Sequence, residues 1–74
     1  MKTAQQIYDA AIKHTPRSSE WKAGALAGLK RRESPHVRQP SPYQCGTAQD
    51  DAWAAGLQYG LQAWVWNQEE GTTA

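Results

Sequence analysis

T47-A-Q-D-D-A-W53-A-A-G56-L-Q-Y-G60-L-Q-A-W-V-W66-N-Q-E-E70 is the stretch whose reading decides the fold of this 74-residue chain. Thr47 with Asp50 three residues on resembles a capping box, and Asp51 adds negative charge to the first turn, so a long helix is predicted over 48–69 with Gly71 ending it. At about 100° per residue, Trp53, Leu57, Gly60, Leu61 and Trp64 collect on one face. Ala52, Ala55, Tyr59, Ala63 and Trp66 collect on roughly the opposite one, and Asp51, Gln58 and Gln62 leave only a narrow polar strip. A helix that is apolar on two sides is normally covered on two sides. A second helix of the chain should cover one face, and either the first helix or another copy of the protein the other, so a homodimer is one expectation.

Working back from that helix, residues 34–46 carry Pro35, Pro40 and Pro42 and close on Gly46, which excludes a continuous helix and predicts a Pro-rich loop. Before it, Ser18 or Ser19 can cap a helix over 19–32, with Glu20 in the first turn and Lys30, Arg31 and Arg32 in the last, as the helix dipole favours. Trp21, Ala25, Gly28 and Leu29 share a face. Gly24 and Gly28 each cost about 1 kcal/mol relative to alanine inside a helix, which a close crossing by another helix would offset; an accident of composition is the other reading. At the front, Ala4, Ile7, Tyr8, Ala11 and Ile12 form one helical stripe over 4–14, with Thr3 and Gln6 as a capping box and Thr15-Pro16 as the stop. The expected fold is all-α: a two-helix core joined by the Pro-rich loop, plus a short N-terminal helix, in a single domain over 1–74 with a disordered tail at 71–74. Trp21, Leu29, Trp53, Leu57, Leu61 and Trp64 are the expected core.

At this length folding buries only about 60% of the surface the unfolded chain exposes, which argues against a deep substrate cleft. A mean hydropathy of -0.82 requires the polar residues to be well segregated. With no Phe and one Met, the four Trp and three Tyr hold most of the apolar area. The lone cysteine forms no internal disulfide, no apolar run approaches the roughly 20 residues of a membrane span, and no signal-peptide core follows Met1, so no membrane partner and a cytoplasmic location are expected. Charge is uneven: all eight basic residues fall in 1–38 against three acids, a net of +5, whereas 39–74 holds four acids and no base, a net of −4.

Enzyme chemistry finds no seat in the sequence. Cys45 lies just before a helix start with His36 nearby, but no third orienting group accompanies them. His14, His36 and Cys45 lack the paired spacings of a zinc site, and no phosphate-binding glycine motif occurs, so neither metal nor cofactor is expected. What remains is the basic cluster Lys30-Arg31-Arg32, followed by Arg38 and the loop residue Tyr43. With Lys22, these side chains suit the phosphates of RNA and a stacked unpaired base. A run of bases at a helix C-terminus also complements the helix dipole, which is the plainer reading.

The pattern W21-K-A-G-A-L-A-G28, then P42-Y43-Q44, then W53-A-A-G56-L57-Q-Y-G60 resembles the ribosome modulation factor family and its small phage and plasmid relatives, over about residues 20–60. The chain departs from that family at Ser41, where a cysteine usually precedes Pro-Tyr, at Leu57, where an aromatic is common, and in a longer linker before Pro42. The resemblance implies a helical core and a non-catalytic role on ribosomal or other RNA, through Lys22, Lys30, Arg31, Arg32, Arg38 and Tyr43. The alternative is a phage-type accessory protein or inhibitor that engages a host protein through Tyr59, Ala63 and Trp66.

Overall fold

The computed structural model describes residues 2–36 and 40–72, with side chains of the last helix through Gln68. α1 spans Ala4–Ile7 and runs straight into a π-helical turn, Tyr8–Ile12; α2 spans Ser19–Glu33 and α3 Ala48–Thr72. Among the described residues there is no strand, and the domain is all-α as its patterning predicts.

Each helix start is built from the side chain its sequence supplies. Thr3 Oγ1 accepts the Gln6 amide at 3.2 Å while the Thr3 amide donates to Gln6 Oε1 at 2.9 Å, completing the capping box. Ser18, rather than Ser19, caps α2 by accepting the Trp21 amide at 3.2 Å. Thr47 accepts the Asp50 amide at 3.2 Å and donates its hydroxyl to the Gln44 carbonyl at 2.7 Å, joining the end of the loop to α3. Gly46, at φ 86°, turns the chain into that cap, a conformation that costs a side-chain-bearing residue about 1–2 kcal/mol.

The centre of the molecule is a crossing of α2 and α3 where backbone meets backbone. A Cβ added at Gly24 would collide with the Trp53 carbonyl, and one at Gly28 with the Leu57 carbonyl. From the other side, a Cβ at Gly56 would strike the Trp21 carbonyl and one at Gly60 the Ala25 carbonyl. G24-A-L-A-G28 and G56-L-Q-Y-G60 therefore interlock, each glycine presenting a hydrogen where any other residue would present a methyl group. Those hydrogens point at carbonyl oxygens, and such Cα–H···O contacts add about 0.5–1 kcal/mol each. The close crossing that Gly24 and Gly28 suggested is present, with a matching glycine pair on α3.

The register also gives the direction. Gly24 meets Trp53 and Gly28 meets Leu57, a four-residue step on each helix, so α2 and α3 run parallel. A parallel pair cannot be joined by a tight turn. Residues 34–47 must join the end of α2 to the start of α3, about 22 Å back at 1.5 Å per residue, and Pro40 and Pro42 line a hollow with Ala23, Leu26, Lys30 and Trp53. Fourteen residues are more than that span needs, so the described parts of this strap turn and bend at residues 35–36, 42–43 and 45–47, and the prolines keep it from continuing as helix.

Four expectations need correcting. The two apolar faces of α3 are flanks of a single seam: Trp53, Gly56, Gly60 and Ala63 are its buried residues, while Leu57, Leu61 and Trp64 are only half-buried. Ala63, expected on an open interaction face, is 2% exposed and belongs to the core, because small residues are what the close crossing admits. The first helix is not α-helical to His14. Its π-helical turn, closed by the Lys13 amide on the Tyr8 carbonyl at 2.8 Å, brings Ile7 and Ile12 both to 0% exposure and leaves Ala11 outside. Five residues apart on an α-helix they would diverge by about 140°. α3 also continues through Gly71 to Thr72, since one glycine costs a helix only about 1 kcal/mol; Thr73 and Ala74 of the expected tail lie outside the described residues.

α1 and the π-helical turn cover one further side of the pair. Ala4, Ile7 and Ile12 join Trp21, Ala25, Leu29 and Ala63 in one cluster, with Tyr8, Ala52 and Trp64 packed around it. The N-terminus of α1 is held by polar ties: the Ala4 backbone amide donates to Glu33 Oε2 at 2.9 Å, and Gln68 Nε2 donates to the Lys2 carbonyl at 3.0 Å.

Gly56→Ala is expected to lower stability by about 1–3 kcal/mol or more, although an alanine in an open helix position gains about 1 kcal/mol over glycine. Urea denaturation of G56A beside A54G, which alters the exposed Ala54, checks this. Trp53, 7% exposed, should lose about 3–5 kcal/mol on truncation to alanine, measured the same way.

Candidate RNA-binding groove and aromatic strip

Two surfaces gather the side chains that could act on a partner. The first surrounds the C-terminal half of α2. Successive residues there point about 100° apart, so Lys30, Arg31 and Arg32 fan out rather than forming one row. Arg31 and Arg32, both exposed, line an open groove of about 550 Å³ with Pro35, Gln58 and Leu61. Lys30 lines a second hollow of about 420 Å³ with Ala23, Leu26, Pro40, Pro42 and Trp53. The first groove thus brings two arginines together with Gln58, Pro35 and Leu61, a set of residues that suits a phosphate beside a flat ring.

The parallel arrangement keeps these cations from the acids at the start of α3. Asp50 and Asp51 open α3 at the end where α2 also begins, about one length of α2, or 20 Å, from Lys30–Arg32. Internal neutralisation of the basic cluster by Asp50 and Asp51 is therefore excluded by the direction of the helices.

Other expected contacts fall elsewhere. Lys22 is half-buried and donates its ammonium to the Lys13 carbonyl at 3.0 Å, tying the end of the first helical segment to α2. Tyr43 is half-buried, its amide donating to Ser41 Oγ at 3.2 Å, so it helps to shape the strap. Arg38 lies outside the described residues.

The second surface is a chain of aromatic rings. Arg17 sits over the Trp21 ring at 4.9 Å, Trp21 packs on Tyr59 with ring centres 4.9 Å apart, and Tyr59 meets Trp66 edge-on at 6.0 Å. Trp21 is buried, but Tyr59 and Trp66 are 37% and 48% exposed, because α1 leaves this flank of α3 uncovered. Sequence patterning found Tyr59 and Trp66 but missed Arg17, which has no periodic partner and is placed by the turn before α2.

Among the described residues no group of three or more His, Cys, Asp or Glu side chains gathers at metal-binding distance, and no helix is long and apolar enough to cross a membrane. His14, His36 and Cys45 are each exposed. Comparison of the chain with protein-family models, curated proteins and solved structures found no match.

Replacing Lys22 with methionine keeps the apolar stem and removes the tie to Lys13. It should cost about 0.5–1.5 kcal/mol in thermal or chemical unfolding and leave ligand binding at the Arg31 groove unchanged.

Proposed function

We propose that the chain is a small, non-catalytic RNA-binding regulator acting in the cytoplasm, on ribosomal RNA or another structured RNA. The observation that carries this reading is the groove in which Arg31 and Arg32 face Gln58 and Leu61 across the end of the helix pair. Guanidinium groups grip phosphate oxygens in a forked geometry, and the amide of Gln58 supplies a donor and an acceptor for a base edge or a 2′-hydroxyl. Lys30, turned toward the strap, offers a further cation to a backbone passing around α2. The resemblance to the ribosome modulation factor family, carried by the segments that bear the crossing glycines, bears first on the helical core and implies the same function. Lys22 and Tyr43 act here as supports of the fold. The competing reading, a module for a host protein, rests on Tyr59 and Trp66 alone.

The test is a binding titration on a ribosomal RNA fragment at several salt concentrations. Each phosphate contact contributes about 0.7–0.9 to the slope of log affinity against log salt, so R31Q/R32Q should flatten it by about 1.5–2 while the melting curve stays close to the parent's. A parent protein that binds no RNA at low salt would overturn the proposal.

A further inference from the structure

The groove beside Arg31 carries its charge on one wall only. α2 contributes Arg31 and Arg32, while α3 contributes Gln58 and Leu61 and the strap Pro35, none of them charged. No Lys or Arg occurs anywhere in 39–74, so α3 has no cation to bring to this site. The second hollow repeats the division, with Lys30 from α2, Trp53 from α3, and Pro40 and Pro42 from the strap. Glu33, the acid nearest the arginines in sequence, is engaged elsewhere: its Oε2 accepts the Ala4 backbone amide at 2.9 Å. Resting on the RNA reading, we propose that the ligand is an unpaired segment of RNA rather than a duplex, and that Gln58 sets which base the groove prefers.

The one-sided charge selects this ligand. Duplex RNA carries phosphates on both strands and keeps its bases stacked between them, so a protein grips it across its grooves and reads mostly shape. A site with one basic wall and one uncharged wall does not match that pattern. An unpaired nucleotide is divided in the same way as the groove, charged at its phosphate and uncharged at its base. The arginines match the phosphate, and Leu61, Pro35 and Gln58 match the base. Concavity points the same way, because a base enters a groove only after it has left the stack. Of the uncharged residues here, Gln58 alone has a side chain that both donates and accepts hydrogen bonds. It stands three residues before Leu61, so the two are neighbours on the surface of α3, with Leu61 half-buried and Gln58 exposed. A ring resting on Leu61 therefore has its edge within reach of Gln58.

Fluorescence polarisation on the full chain at low salt tests this with three RNA probes: a single strand, the same strand annealed to its complement, and that duplex carrying one bulged nucleotide. The single strand and the bulged duplex should each bind about tenfold or more tighter than the perfect duplex. With the bulge varied among the four bases and an abasic residue, the parent should rank the bases over about tenfold and bind the abasic probe least. Q58A should shrink that ranking to within about twofold and keep the parent's salt slope, with circular dichroism unchanged because Gln58 is exposed. R31Q/R32Q should do the reverse, flattening the slope and preserving the ranking. A perfect duplex that binds as well as the single strand, an abasic bulge that binds as well as any base, or a ranking that survives Q58A would overturn the proposal and leave the RNA reading standing. A parent that binds none of the probes at low salt overturns both, so the two failures are distinguishable.

Discussion

The contact between the glycine edges of α2 and α3 sets everything else in this domain. Four glycines, two on each helix, bring main chains within reach of each other, and no larger residue could stand at any of the four positions without displacing a carbonyl group. A domain this small has little apolar side-chain volume to work with. Close approach substitutes dispersion and Cα–H···O contacts along two backbones for the thick core that a larger protein would build. The thickness of 15 Å along the shortest axis is the result.

Placing the smallest residues in the seam displaces the largest to its margins. Trp53 lines a hollow with Pro40 and Pro42 of the strap, Trp64 borders the α1 cluster, and among the described residues Tyr59 and Trp66 are the large hydrophobics left exposed. The same displacement frees the C-terminal end of α2. Its arginines have no acid opposite them at the start of α3, because the acids stand at the far end of a parallel pair. An electropositive groove and an aromatic strip are thus two outcomes of one packing choice.

Much of this could be read from the residues alone. The caps at Thr3, Ser18 and Thr47 mark the helix starts by local chemistry, and local chemistry is what a sequence displays directly. Gly24 and Gly28 are legible as an energetic anomaly that a close neighbour would offset, with an accident of composition as the other reading. The division of α3 into two faces failed because hydrophobicity was taken as the guide to burial, whereas at a backbone-to-backbone crossing the guide is smallness, and Gly56 and Ala63 outrank Leu57 and Leu61 there. The π-helical turn was not legible: its cause is the joint demand of Ile7 and Ile12 for one cavity, which depends on the other helices. Of the groove, the arginines were apparent, but their neighbours Gln58 and Leu61 come from a distant part of the chain.

The parallel direction of α2 and α3 bears on how the chain reaches this state. An antiparallel hairpin could zip from its turn, each contact shortening the loop left to close for the next. Here every contact in the seam joins residues about thirty positions apart, and the entropy of closing that loop is lost before the first glycine meets its carbonyl. The seam's glycines offer no side chains to collapse around, so the search for register rests on the buried Trp21, Ala25, Trp53 and Ala63 beside them. The strap then bears on the entropy as well as the connection: Pro35, Pro40 and Pro42 narrow the paths open to the unfolded chain, so closing the loop costs less than it would for a chain free at those positions.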